Sequence, residues 1–210
     1  YQTGAMNEKA REVVDLVSER LKSPDLDVYS QTYETQVADP MFMEPETGLA
    51  WFDRKAKTLR MLIGTQSPGY DLDATLALFA PKKCPIEIDD VHLYAAYPGG
   101  GFGGRDTSIF CLFLALAAAY SDTPIRISND RFQQFQTGIK RHASKIELTL
   151  GVSKKNYIDV FRNHSILNGG GRRNVSVYVA NVVGILGTGV YRAPLADIWS
   201  RAQHTISQVA

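Results

Sequence analysis

A chain of 210 residues, 44% apolar and 21% charged, has the composition of a globular protein and is long enough to bury a full core. Its formal net charge of +1 excludes the strong basic field that draws a chain to nucleic acid or to an anionic membrane. No apolar run reaches the length of a membrane span; the richest, residues 109–120, has the length of a buried helix.

Apolar residues at Ala10, Val13, Val14, Val17 and Leu21 recur at helical spacing behind a charged face, and predict a helix over 7–21 that Pro24 ends. A charged, amphipathic start is not a secretory signal, and Tyr1 in place of Met is expected of a segment cut from a longer protein. Alternation rich in Val, Tyr and Thr predicts a strand over 27–37, and two more are expected at 49–52 and 58–63 around a turn at 53–55. Residues 64–69 have loop composition, 71–79 read as a helix closed by Pro81, and 90–97 as a strand. That strand runs into a glycine-rich stretch, after which 107–119 reads as a buried helix with Asp106 or Thr107 placed to cap it. A short strand at 124–128, a helical turn at 130–136 and a strand pair at 144–152 and 157–163 follow. The triple glycine at 169–171 breaks the pattern, 175–186 fits helix or strand, and 195–201 fits a strand. Strands and helices mix without strict alternation, so an α+β fold with mixed sheets and packed helices is expected rather than a doubly wound sheet. One domain over 1–210 is expected, with a sub-boundary near 121–124.

The strongest local signal is Pro98-Gly99-Gly100-Gly101-Phe102-Gly103-Gly104-Arg105-Asp106, with five glycines in six positions. A strand, then glycines, then a helix gathers backbone N–H groups near a helix start, which suits an anionic or oxygen-rich ligand approaching the main chain closely. Two other readings stand beside it: a tight turn with no ligand, and a nicotinamide dinucleotide site, since Gly99, Gly101 and Gly104 match G-x-G-x-x-G with Asp130 downstream. No Gly-Lys-Ser/Thr follows the glycines, and no Gly-x-Ser-x-Gly elbow is present. His92, His142, His164 and His204 have no zinc-ligand spacing and are expected to be surface or structural. Cys84 and Cys111 lack CxxC spacing, so each is expected to be a buried, inert thiol.

The stretch from Pro98 to Arg105 resembles the GGGFGG-K/R signature of xanthine dehydrogenases and aldehyde oxidases. Met43-Glu44-Pro45-Glu46 with Gly48-Leu49-Ala50 is similar to that family's "EPE..LA" block, and Gly64-Thr65-Gln66-Ser67-Pro68 to its "TQ.P" block. Pro124-Ile125-Arg126-Ile127 with Asp130-Arg131 resembles its "PVR…DR" stretch, and residues 138–142 its "G.(K)RH" element. Five blocks occur in the family's order.

The resemblance implies a molybdenum ion held through molybdopterin or molybdopterin cytosine dinucleotide, with no metal ligand from the chain itself. It implies that Gly101, Phe102, Gly103 and Gly104 line the cofactor, with Phe102 and Gly103 beside the metal's oxo ligand and Gln66 hydrogen-bonding near its apical oxygen. An oxo ligand carries partial negative charge and accepts hydrogen bonds from a backbone N–H or a Gln amide. Core packing for Phe102 and an ordinary loop role for Gln66 are the plain alternatives. Asp106 stands where family members carry a Glu that can face substrate, and helix capping explains it equally well. Glu44 and Glu46 are expected to be structural. Arg172 and Arg173 could meet an anionic cofactor tail or form a solvated loop. The position of a His found in many relatives is Pro40 here, beside Asp39.

The parent enzyme implied is a cytoplasmic oxidoreductase that hydroxylates a carbon of an aldehyde or N-heterocycle with oxygen from water. Its general-base Glu is expected outside this chain, which is then inactive alone. The resemblance implies iron–sulfur clusters and FAD on partner subunits or domains, and two cysteines cannot supply the four thiolates that such a cluster needs. The remaining part of the molybdenum subunit is a further expected partner. A non-catalytic structural half-subunit is the alternative from another class.

Overall fold

The computed structural model describes residues 8–106, 108–171 and 175–206. They form an α+β fold of five helices and eight strands in two four-stranded mixed sheets. The chain divides into two compact units, one of residues 1–38 with 142–210 and one of residues 39–141. The breaks fall at 38/39 and 141/142, and the stretch 121–124 lies inside the second unit, between its helix and strand. The roles offered to Thr107, Arg172 and Arg173 lie outside the described residues.

The first unit holds α1 (Glu8–Arg20), β1 (Leu26–Thr35), β6 (Ser144–Ser153), β7 (Ile158–Asn168), α5 (Ser176–Leu186) and β8 (Leu195–Gln203). Its strand order is β1-β6-β7-β8, antiparallel except for the parallel β7–β8 pair. The stripe predicted for α1 buries Val17 with Val160 of β7 and Leu26 of β1. Residues 175–186, which periodicity left between helix and strand, form α5 and pack Ala180 on Leu167 and Ala202.

The second unit holds β2 (Thr47–Asp53), β3 (Thr58–Gly64), α2 (Pro68–Leu78), β4 (Asp90–Ala96), α3 (Ile109–Ala119), β5 (Ile125–Ser128) and α4 (Arg131–Thr137). Its strand order is β4-β3-β2-β5. Strands β3 and β4 are parallel, joined through α2, while β2 runs antiparallel to both β3 and β5. Ala50, Leu59, Met61, Ile63 and Val91 point to one face, where α3 buries Phe110, Cys111, Leu114, Ala115, Ala118 and Ala119 at helical spacing. Burying a side chain such as Leu114 contributes roughly 1.5–3 kcal/mol. A Cβ on Gly48 would lie 2.5 Å from Leu114 Cδ2, so this strand position is glycine because the helix side chain occupies the space. Among the described residues, no helix is long and apolar enough to cross a membrane.

Candidate functional site

Sheet topology collects the blocks at one end of the second unit. Parallel β3 and β4 pair Gly64 with Ala96, so the chain leaves both strands at the same edge, into residues 65–67 and into the glycine loop. Antiparallel β2 pairs Gly48 with Ile63, which places Glu44 and Glu46, just ahead of β2, at that edge too. Strand β5 pairs Ser128 with Thr47 and so delivers Asp130 and α4 to the same place. Loops at the carboxyl ends of neighbouring parallel strands are where such sheets bind ligands.

The loop has an unusual backbone. Gly100 has φ 147°, Phe102 φ 49° and Gly103 φ 88°. A non-glycine residue held in the left-handed region costs about 1–2 kcal/mol, so the surroundings must hold it there. Gly104 N donates to Gly101 O at 2.7 Å, closing the turn. Gly103 N donates to Gln66 Oε1 at 2.9 Å, and Gln66 N to Arg105 O at 3.3 Å. Arg141, from the last of the blocks, donates to Phe102 O at 3.3 Å. A Cβ on Gly101 would stand 2.5 Å from Gln66 Oε1, whereas one on Gly103 would meet nothing within 4 Å. Gly103 thus faces open space. The Phe102 side chain is 60% exposed and lies against Gly100, so core packing does not explain it.

The two ends of the loop are tied to one residue. Glu44 Oε1 accepts from Gly99 N at 2.6 Å and from Arg105 Nη1 at 2.7 Å. The Arg105 side chain is 2% exposed, donates a second bond to Glu44 O, and stacks its guanidinium 4.4 Å over the Phe42 ring. Burial works to raise the Glu44 carboxyl, but the Gly99 N–H and the Arg105 charge outweigh it and hold the group below the usual carboxylate range. A Cβ on Gly104 would strike Phe42 and Pro40, so the proline at the family's His position packs beneath the loop.

Beneath lies a buried polar layer. Asp71 accepts from Thr65 Oγ1 and, at 3.6 Å, from Cys111 Sγ, while Thr65 Oγ1 accepts from Ser67 N at 3.0 Å. Gln134 accepts from Glu46 N at 2.8 Å and donates to Glu46 Oε2 at 3.2 Å. Burial pushes the Glu46 and Asp71 carboxyls upward and the Cys111 thiol up to about 12. Cys111 is therefore a protonated, buried thiol at neutral pH, and Cys84 is half-buried.

One expected role is corrected. Asp106 does not cap α3: Ser108 is the N-cap and accepts from Phe110 N at 3.2 Å, while the Asp106 carboxylate takes the Ser67 hydroxyl instead. The dinucleotide reading also fails on geometry, because α3 opens at Ile109, beyond the G-x-G-x-x-G match, and β2 runs antiparallel beside β3. The histidines are scattered, with His92 on Asp90, His142 on Ser176 and His164 on Asp197 and Trp199. Among the described residues, no cluster of His, Cys, Asp or Glu could hold a metal directly.

Sequence alone assigned no role to Arg105, Asp71 or Thr65, and gave Glu44 only a general structural one. The Glu44–Arg105 pair arises because the parallel β3–α2–β4 crossover sends two loops to one edge and antiparallel β2 brings a third there.

The chain matches the family described as "Molybdopterin cofactor-binding domain" over residues 10–207. It is 29% identical over 128 residues to the nicotinate dehydrogenase large molybdopterin subunit of Eubacterium barkeri, covering 60% of this chain and 28% of that one. It is 28% identical over 161 residues to the xanthine dehydrogenase molybdenum-binding subunit of Escherichia coli O157:H7, covering 70% of this chain and 20% of that one. It superposes on the crystal structure of quinoline 2-oxidoreductase from Pseudomonas putida 86 with a TM-score of 0.77 at 21% identity, over 90% of this chain and 24% of that one. The chain thus spans less than a third of each of these proteins.

Proposed function

Because the chain belongs to the molybdopterin cofactor-binding domain family, we propose that Gln66 and the loop from Gly101 to Gly104 form the wall against which the molybdenum end of the cofactor rests. The parent protein is read as a cytoplasmic molybdenum hydroxylase acting on a carbon of an aldehyde or N-heterocycle, with iron–sulfur and flavin groups on partner subunits or domains. The observation that carries this reading is the open main chain at Gly103, beside an exposed Phe102 and braced from behind by Gln66.

The residues fit such a group. At Gly103 the missing Cβ leaves the approach clear, and Gly101 is glycine because Gln66 fills its Cβ position. When bound, the molybdenum centre supplies two-electron oxidation of carbon with water as the oxygen source. The chain's own part is to shape and dry the space around it. Phe102 presents an apolar ring that excludes water. Gln66 spends its carbonyl oxygen on Gly103 N, so its Nε2 is the end that would donate to an oxygen ligand. The Asp106 carboxylate accepts from the Ser67 hydroxyl, which ties the end of the glycine loop to the loop that carries Gln66. The general base is assigned to a Glu outside this chain.

The test is Gly103→Val in the complete enzyme, with molybdenum and pterin measured per subunit. Valine is strained at φ 88° and projects into the open approach, so metal content is expected to fall sharply. Unchanged loading would overturn the assignment. The chain on its own is expected to turn over no aldehyde, purine or other N-heterocycle; measurable oxidation by it would contradict the view that the base lies elsewhere.

A further inference from the structure

We propose that Glu44 is a positioning residue: one of its carboxylate oxygens clasps both ends of the loop from Gly99 to Arg105, and the reach of this clasp, not its charge, keeps the loop in its cofactor-retaining shape. The cofactor half of the inference rests on the function proposed above. The clasp itself rests on geometry alone.

Both bonds end on the same atom. Gly99 N lies 2.6 Å and Arg105 Nη1 2.7 Å from Glu44 Oε1. The second oxygen sits where a Cβ on Gly99 would come within 2.5 Å, so glycine at 99 is what admits the carboxylate. Arg105 is the fixed post. It is buried, bonded a second time to Glu44 O and stacked on Phe42, and Gly64 makes room for its Nη1, which would lie 2.9 Å from a Cβ there. Gly99 is the free end, leaving β4 through Tyr97 and Pro98 with no strand partner of its own. Between the two lie Phe102 and Gly103 in left-handed backbone, a conformation that relaxes when an end is released.

Charge and reach can be separated by mutation. Glutamine has the length of glutamate and a carbonyl oxygen that accepts two hydrogen bonds, so Glu44→Gln keeps both contacts and loses only the charge. Aspartate keeps the charge but is shorter by one bond of about 1.5 Å, so it cannot hold both donors at hydrogen-bond distance.

The experiment purifies the complete enzyme as wild type, Glu44→Gln and Glu44→Asp. Three quantities are read: amide hydrogen exchange of the peptide covering 99–105, molybdenum and pterin per subunit, and the urea midpoint. Glu44→Gln is expected to stay within about twofold of wild type in exchange and loading. Glu44→Asp is expected to exchange about tenfold faster, the scale of one lost hydrogen bond, and to lose metal. The reverse order, with Glu44→Asp intact and Glu44→Gln loosened, would mean that Glu44 merely neutralises Arg105 and would overturn the proposal. Fast exchange in Glu44→Asp with full metal loading would overturn it as well. If Glu44→Asp fails to accumulate, Gly99→Ala supplies the same test, since it displaces the carboxylate from the free end and leaves the charges in place. Wild-type enzyme without molybdenum would count against the function proposed above, and the exchange comparison would then still decide the clasp.

Discussion

Glu46 and Asp71 are carboxyls placed where water does not reach, and burial raises both above their unfolded values of about 3.9 to 4.3. For an acid raised on folding, the folded state holds the extra proton. Its contribution is complete below the unfolded value and is lost as pH rises through the folded one. Glu46→Gln is isosteric with the protonated form and can still accept from Gln134 Nε2. It is expected to raise stability at pH 8 by about 1–2 kcal/mol and to leave it unchanged near pH 4. Urea midpoints of the two proteins at both pH values check this; a difference that does not depend on pH would show that Glu46 does not titrate in a dry site. Single residues were unevenly legible. The loop glycines stood out because their chemistry is local, whereas Gln66 stood out only through the family resemblance. The tie between Glu44 and Arg105 did not, because 61 positions separate the two and only the sheet register joins them.

Helix α3 shows the same limit at the scale of an element. Its apolar run announced a buried helix, yet its first turn was misplaced by two residues. Ser108 Oγ reaches Phe110 N, and Asp106, an equally good capping type, is already engaged by Ser67. Strand β7 runs to Asn168, well past the predicted 163, because Asn163 and Ser165 hide their polarity by bonding to each other inside the sheet. That pairing erases the alternation from which a strand is read. Packing between α3 and β2 is tight enough to predict a coupling. Leu114→Ala is expected to cost about 2–5 kcal/mol through the cavity it leaves. Gly48→Ala, which drives a methyl against Leu114 Cδ2, is expected to cost about 1–3 kcal/mol. Together the two changes should cost less than their sum, since the cavity receives the methyl. Strict additivity in a denaturation cycle would argue that the sheet and the helix shift apart to accommodate each change.

At the scale of the molecule, four of the five blocks first noticed as ordered sequence turn out to meet at one end of one sheet within residues 39–141, and the fifth, 138–142, reaches the loop there through Arg141. Composition and periodicity predicted the α+β class. They did not predict that the second unit is inserted between β1 and β6, since no linker composition marks 38/39 or 141/142. The inserted stretch has a core of its own, and Lys140 Nζ lies 3.0 Å from Asp39 Oδ2, so its first and penultimate residues are in contact. A polypeptide of residues 39–141 is therefore expected to fold alone with a single cooperative urea transition, and Lys140→Ala to lower its midpoint. A gradual, non-cooperative loss of circular dichroism would show that the core depends on the flanking chain.

The contact between Asp39 and Lys140 has a genetic corollary. A stretch whose entry and exit share one doorway can be cut out and replaced at two splice points. Swapping it for the equivalent cassette of a homologue would carry the glycine loop and its supports across as a set.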